Sequence, residues 1–86
     1  MEKNWKTLSS KNGKESWTRV LKSDEGFLIV GVQLNAFTYE IGLWVDNKLI
    51  HLKRVGDLIS ARESLKLLKS WAESNTRKIE RIVERV

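Results

Sequence analysis

Residues 26–45 constrain the fold more than any other part of the chain. Their sequence, GFLIVGVQLNAFTYEIGLWV, has a single charged residue, Glu40, although charged residues make up 31% of the whole protein. A segment with so few charges must keep at least one side away from water. Its apolar residues are mostly β-branched or aromatic, which favours extended strands over a helix. The segment therefore predicts two buried β-strands at the centre of the domain.

Apolar residues alternate along both halves of this segment, and successive strand residues point to opposite faces of a sheet. The two residues between the halves leave room only for a tight connection, which makes the strands antiparallel neighbours. Gly31 and Gly42 interrupt the opposite face, where we expect a bulge or room for a neighbouring side chain. Nine residues are predicted to line the core side of the sheet: Leu28, Val30, Val32, Leu34, Phe37, Tyr39, Ile41, Leu43 and Val45.

Turn signals on both sides extend this pair of strands into a meander. The Asn12-Gly13 pair lies between two strand-like runs and is a strong hairpin signal, because both residues tolerate positive φ. Residues 23–26 end in glycine, as type I turns prefer, and residues 46–48 form a third tight turn. The sequence therefore predicts an antiparallel β-meander of four to five strands.

The chain of 86 residues is short enough to be a single domain. Residues 1–14 are predicted to form an N-terminal arm or hairpin strand, residues 16–55 the antiparallel sheet, and residues 57–86 one long C-terminal helix. In the last strand, Ile50 and Leu52 should face the core. The predicted fold class is α+β, with the helix packed on one face of the sheet.

The helix is predicted from a change in the apolar period after Asp57, a suitable N-cap. Ser74, Asn75 and Thr76 are poor helix formers, so the helix should kink, restart or weaken there; we favour a weakened but continuous helix. A continuous helix would be about 43 Å long and would overhang the sheet, so that its end would need a partner unless it frays. The predicted dimer or partner interface consists of Ile79, Ile82, Val83 and Val86.

The charge balance favours a polyanionic partner. Sixteen basic residues outnumber eleven acidic ones, the net charge is +5, and the excess surrounds the apolar centre. Such a balance attracts nucleic acid, although a basic composition is also common in small proteins. The absence of cysteine and of any long apolar run predicts a cytoplasmic protein with no membrane contact.

The predicted outer face of the sheet combines aromatic rings with cations. Bases can stack on the rings while the cations meet the phosphates, an arrangement that suits single-stranded DNA or RNA. The same rings are apolar enough to form a second core or a protein interface. The candidate nucleic-acid-binding residues are Trp17, Arg19, Phe27, Trp44, His51 and Lys53.

Element order over residues 16–73 resembles the strands-then-helix layout of small transcriptional coactivators. The resemblance implies a sheet that binds single-stranded DNA and helices that dimerise, and it concerns architecture only. Our leading hypothesis is a small nucleic-acid-binding protein, a regulatory or accessory factor that forms a homodimer. The alternative is a protein-interaction module, such as a small inhibitor or assembly protein, that uses the sheet face or the helical tail.

Enzyme chemistry finds little support in the sequence. His51 is the only histidine, and no carboxylate lies beside it in its strand, so a metal site or a nucleophile with its base lacks the usual members. The five glycines are scattered, without the spacing of a phosphate-binding loop. We therefore predict no enzymatic activity, no cofactor, no metal and no small-molecule substrate.

Overall fold

A computed structural model describes residues 3–12 and 16–85. They form an antiparallel sheet with two helices after it, and the strand order follows the chain. The α+β meander predicted from sequence is confirmed, with all five strands formed. The elements are β1 (Trp5–Asn12), β2 (Trp17–Ser23), β3 (Phe27–Asn35), β4 (Thr38–Val45), β5 (Lys48–Val55), α1 (Leu58–Ser74) and α2 (Thr76–Arg85).

The predicted turns form where the backbone can adopt positive φ. Gly26, with φ of 88°, donates its N–H to the Ser23 carbonyl at 3.1 Å and closes the β2–β3 turn. Asp46 and Asn47 have φ of 52° and 63°, the left-handed conformation of a two-residue hairpin turn that matches the twist of its strands. The β1–β2 pairing is present, but the Asn12-Gly13 turn lies partly outside the described residues.

Helix α1 begins at the predicted cap and ends within the predicted weak segment. The Asp57 carboxylate accepts the Ser60 N–H at 2.7 Å, which satisfies one of the free amides of the first turn. At the other end, the Asn75 side-chain amide donates to the Trp71 carbonyl at 2.8 Å. Thr76 starts α2, so the helix restarts within residues 74–76, which was one of the predicted alternatives; the continuous helix favoured from the sequence does not form.

Because the helix breaks, α2 folds onto the sheet instead of overhanging it. Ile79 is completely buried in the core, and Lys48 Nζ donates to the Val83 carbonyl at 3.0 Å. Ile79 was predicted to contact a partner, but its burial in the core leaves it inaccessible, so this part of the predicted interface is wrong. Ile82 and Val83 are half-buried, and Val86 lies outside the described residues. The homodimer stays a prediction.

The helices cover one face of the sheet, here called the covered face, which consists mainly of the odd-numbered residues of β2, β3 and β4. Trp17 is buried on this face and meets Tyr39 edge to face at 6.0 Å between ring centroids. A Cβ at Gly31 would lie 2.6 Å from the Trp17 ring, so only glycine leaves room for this packing. The buried apolar residues are Trp17, Leu21, Phe27, Ile29, Tyr39, Ile41, Leu43, Val45, Ala61, Leu68, Ala72 and Ile79.

The sequence predicted the correct face for β4 but the wrong face for β3. Phe37, predicted to start the core side of β4, lies in the turn before it and is 81% exposed. Asn35 pairs with Thr38 at the turn. If this register continued along both strands, even-numbered residues of β3 would pair with odd-numbered residues of β4, as predicted. Instead, Gln33 pairs with Tyr39, and Leu34 is an extra residue in a bulge. One extra residue turns every side chain of the strand to the other face.

A second bulge has the same effect on β5. Val45 pairs with Lys48 and Trp44 with Leu49, but Leu43 pairs with His51, so that Ile50 is the extra residue. His51 consequently lies on the covered face, and Leu52 on the opposite one. The prediction that Leu52 faces the core is therefore wrong, while Ile50 does pack partly against it.

Candidate functional site

The second face of the sheet, here called the open face, has no described element packed on it and is mostly apolar. In β3 and β5 it presents the residues that the bulges of these two strands turn away from the helices. Leu8, Leu49 and Leu52 are 59%, 49% and 41% exposed. The large apolar side chains of this face are Leu8, Val20, Leu28, Val30, Val32, Trp44, Leu49 and Leu52.

Cross-strand pairing orders these side chains into rows. One row joins Val20, Val30, Gly42 and Leu52 as successive neighbours across β2 to β5. The next row joins Leu28, Trp44 and Leu49.

The Trp44 ring connects the two rows because it lies over the glycine of the first. A Cβ at Gly42 would be 2.5 Å from the Trp44 ring and 3.4 Å from a Leu52 methyl. An indole with aliphatic neighbours on both sides therefore occupies the middle of the open face. Fully desolvated tryptophans in such positions often dominate the energy of protein interfaces.

Charges border the apolar rows unevenly. Lys6 and Lys22 are direct cross-strand partners, an unfavourable placement of like charges. Lys6 has a distant ion pair with Asp24 at 3.9 Å, and both side chains are exposed. On the other border, the Arg54 guanidinium binds Glu40 at 2.7 Å. The β1–β2 border is therefore basic, whereas the β4–β5 border is close to neutral.

Of the six candidate nucleic-acid-binding residues, only Trp44 lies on the open face. Trp17 and Phe27 are buried in the core, and their predicted exposure is wrong. Within the described residues, the buried Trp17 Nε1 has no hydrogen-bond partner, and the ring contacts Tyr39 and the Arg19 guanidinium. Phe27 lies under the Lys3 ammonium, 4.2 Å from the ring centroid, and Lys3 also pairs with Glu25.

The three remaining candidates lie on the covered face, on opposite sides of α1. Arg19 is on the β2 side and donates to the carbonyls of Lys11 and Thr18 at 3.0 Å. His51 and Lys53 are on the β5 side, where the His51 ring lies 6.0 Å from that of Trp71. They line a recess of about 230 Å³, together with Ile41, Ser64, Leu67, Leu68 and Trp71. The six residues do not form one surface.

Sequence reasoning placed Leu28, Val30, Val32 and Leu52 in the core and so missed the open face as an apolar surface. A usable signal was present in β3, where Phe27, Leu28, Ile29 and Val30 follow one another. Apolar residues at both odd and even positions indicate a strand with two apolar faces. A single helix can cover only one of them.

No protein-family model, curated protein or solved structure matches this chain. Within residues 3–12 and 16–85, no cluster of histidine and carboxylate side chains is placed to hold a metal ion. Neither helix of this part of the chain combines the length and the hydropathy needed to cross a membrane.

Proposed function

We propose that this protein is a protein-interaction module and that it binds a partner protein through the open face. The single observation that supports this function is the uncovered apolar surface around Trp44, formed by ordered strands and not by a loose terminus. A protein-interaction module was the alternative hypothesis of the sequence analysis, but the residues now proposed to bind the partner are different.

The hydrophobic effect makes such a surface costly to leave in water. Burying a valine or leucine side chain completely stabilises a complex by roughly 1.5–3 kcal/mol, and the open face has several such side chains that are only partly covered. Monomeric proteins rarely expose a contiguous apolar patch of this kind unless it is an interaction site. A partner that covers Trp44 and its neighbours would remove this cost.

The charges around the open face favour an acidic partner over a second copy of this chain. Two copies packed face to face with their β1–β2 borders adjacent would bring the Lys6, Lys11 and Lys22 side chains of both copies together. A partner with carboxylates beside the β1–β2 border would relieve the Lys6–Lys22 repulsion. The partner is therefore a different protein, apolar at the centre of its contact surface and acidic along one side.

Nucleic-acid binding at this face has less support. Trp44 is the only aromatic ring among its described residues, and its central rows are aliphatic. Aliphatic side chains offer bases no stacking surface, while they match the core of a protein interface. Nucleic-acid binding itself stays a prediction.

Site-specific photocrosslinking in the cells that make the protein tests this function. The crosslinker p-benzoylphenylalanine would replace Leu49 or Leu52, which are partly exposed on the open face, and Ile59, which is 81% exposed on α1, as the matched control. We expect one and the same partner to be crosslinked from positions 49 and 52, but not from position 59.

A second variant tests the centre of the face. Trp44→Glu in the chain crosslinked from position 49 should abolish the adduct, because it places a charge in the apolar interface. Circular dichroism and the thermal midpoint would check that the sheet still forms. Equal adducts from positions 49, 52 and 59, or adducts of this chain with itself, would contradict the proposal.

A further inference from the structure

A basic groove runs along the side of α1 that faces β1 and β2. Residues 62, 66, 69 and 73 follow one another at helical spacing and share this side of the helix. Arg62 and Lys66 line a recess of about 300 Å³ opposite Arg19, and Lys69 lines a second recess with Lys3, Lys6, Trp5 and Glu73. We call these two recesses the basic groove.

The side chains of the basic groove have an excess of uncompensated positive charge. Within the part of the chain that the structure describes, the four cations Arg19, Arg62, Lys66 and Lys69 line it with no ion pair, against one carboxylate, Glu73. Lys3, at the edge of the second recess, is paired with Glu25, and Lys6 is distantly paired with Asp24. Neutral groups orient the two arginines: Arg62 donates to the Asn12 side-chain oxygen at 2.9 Å, and Arg19 to backbone carbonyls. Among the described residues, Lys66 and Lys69 have no carboxylate within 4.0 Å.

The other side of α1 shows that this charge is localised. There the helix presents Ser64, Leu67 and Trp71 to β5, and none of them is charged. If the lysines and arginines of α1 served only to keep the helix in water, we would expect them on its outer surface. Arg62 and Lys66 are exposed and Lys69 is half-buried, and all three lie on the side of α1 next to the β1–β2 hairpin, where they line the two recesses.

An aromatic ring lies at one end of this line of cations. Trp5 is half-buried, and its Nε1 donates to Glu73 Oε1 at 2.8 Å, which fixes the ring beside Lys69. Cations that follow a sugar–phosphate backbone, with an aromatic ring for base stacking, are the elements of single-strand binding. The bases of a duplex are already stacked on one another and cannot use the ring.

We propose that the basic groove binds single-stranded nucleic acid, with Arg19, Arg62, Lys66 and Lys69 on the phosphates and Trp5 on a base. This activity does not depend on the open face, which lies on the other side of the sheet. It differs from the site expected from the sequence in location and in all of its residues except Arg19.

Fluorescence anisotropy of a labelled oligothymidylate of about ten nucleotides tests the proposal, since small single-strand-binding domains contact about 4–16 nucleotides. The double variant Lys66→Gln, Lys69→Gln removes two charges from the groove. Its matched control, Arg77→Gln, Lys78→Gln, removes two exposed charges from α2. At low salt we expect the groove variant to bind at least about tenfold more weakly, and the control to change affinity about twofold or less.

Salt dependence adds a quantitative check. For single strands, the slope of log K against log salt is about −0.7 per phosphate contact, so the groove variant should lose about 1.4 from the magnitude of its slope. A duplex of the same length should bind no more tightly than the single strand. Equal losses in the two double variants, or no binding by the native protein at low salt, would overturn the proposal.

The neutral variant Leu52→Gln separates this result from the proposed function. It alters the open face and leaves every cation of the groove in place, so oligonucleotide affinity should stay within about twofold of the native value. A loss of oligonucleotide binding in Leu52→Gln would place the ligand on the open face and contradict the groove assignment. Failure of the crosslinking experiment alone would leave this assignment intact.

Discussion

Each face of the sheet has a tryptophan ring packed over a glycine, but the surroundings of the two rings differ. On the covered face, the Trp17 ring lies over Gly31, and Tyr39 and Leu65 enclose it. On the open face, the Trp44 ring lies over Gly42 with only Leu52 beside it. Both faces would be stabilised by losing contact with water, but the chain supplies only one set of helices. The comparison separates residues that hold the fold together from residues that are available to a partner.

The largest expected difference between the faces comes from deleting matched leucines. Leu43 is completely buried on the covered face, so Leu43→Ala should lower the free energy of unfolding by about 2–5 kcal/mol. Leu52 is 41% exposed on the open face, and Leu52→Ala should cost less than about 1 kcal/mol. Urea unfolding of both variants measures this difference. Similar losses would mean that the open face is covered in solution, as by self-association.

The sequence allowed the elements and their order to be predicted, because the signals for them are local. Turn residues such as Gly26 and Asn47 adopt positive φ, and Asp57 offers a carboxylate to the first turn of α1. The odd-numbered face of β4 was also predicted correctly, since its apolar residues alternate with no interruption.

The faces of β3 and β5 could not be predicted, because each depends on one extra residue. Those residues are Leu34 and Ile50, and neither is the glycine that marks one common class of bulge. Both are apolar, so the alternating pattern continues through the bulge on the wrong face. These two extra residues explain why the candidate residues of β3 and β5 were predicted on the wrong face. The face of β2 was predicted wrongly for the same reason, because β2 pairs with β3.

Adding one methyl group under each tryptophan gives the next largest effect and tests the shared motif directly. Gly31→Ala places a Cβ 2.6 Å from the enclosed Trp17 ring, and we expect it to destabilise the protein by about 1–3 kcal/mol. Gly42→Ala places a Cβ 2.5 Å from the Trp44 ring, which can swing toward solvent. There the clash is relieved, and the smaller backbone entropy of alanine in the unfolded chain offsets what remains.

Thermal midpoints and tryptophan fluorescence of the two alanine variants measure this prediction. For a domain of this size, 1 kcal/mol corresponds to a change of roughly 4–8 °C in the midpoint. A midpoint that falls as far in Gly42→Ala as in Gly31→Ala would show that Trp44 is held as tightly as Trp17. In that case the open face would be a rigid, already covered surface.

The smallest effect concerns the start of the helix that distinguishes the two faces. The Ser60 backbone N–H, helped by its hydroxyl, lowers the pKa of the Asp57 carboxyl below its ordinary value of 3.8. A lowered pKa in the folded state means that the charged cap stabilises α1 above the pKa of the unfolded chain, and that this contribution disappears as the pH falls through the folded pKa. Asp57→Asn keeps an acceptor for the Ser60 N–H but has no charge to lose.

The difference in free energy of unfolding between native protein and Asp57→Asn should therefore be constant at neutral pH and should shrink below about pH 4. Urea unfolding of both proteins from pH 7 to pH 2.5 measures it, and the other carboxylates cancel because they titrate in both. This decrease in the free-energy difference should reflect only the packing of α1 on the covered face. Crosslinking from position 52, which lies on the open face, should therefore be the same with and without the Asp57→Asn substitution. A difference that is independent of pH would mean that the Asp57 charge contributes nothing to holding α1 over the sheet.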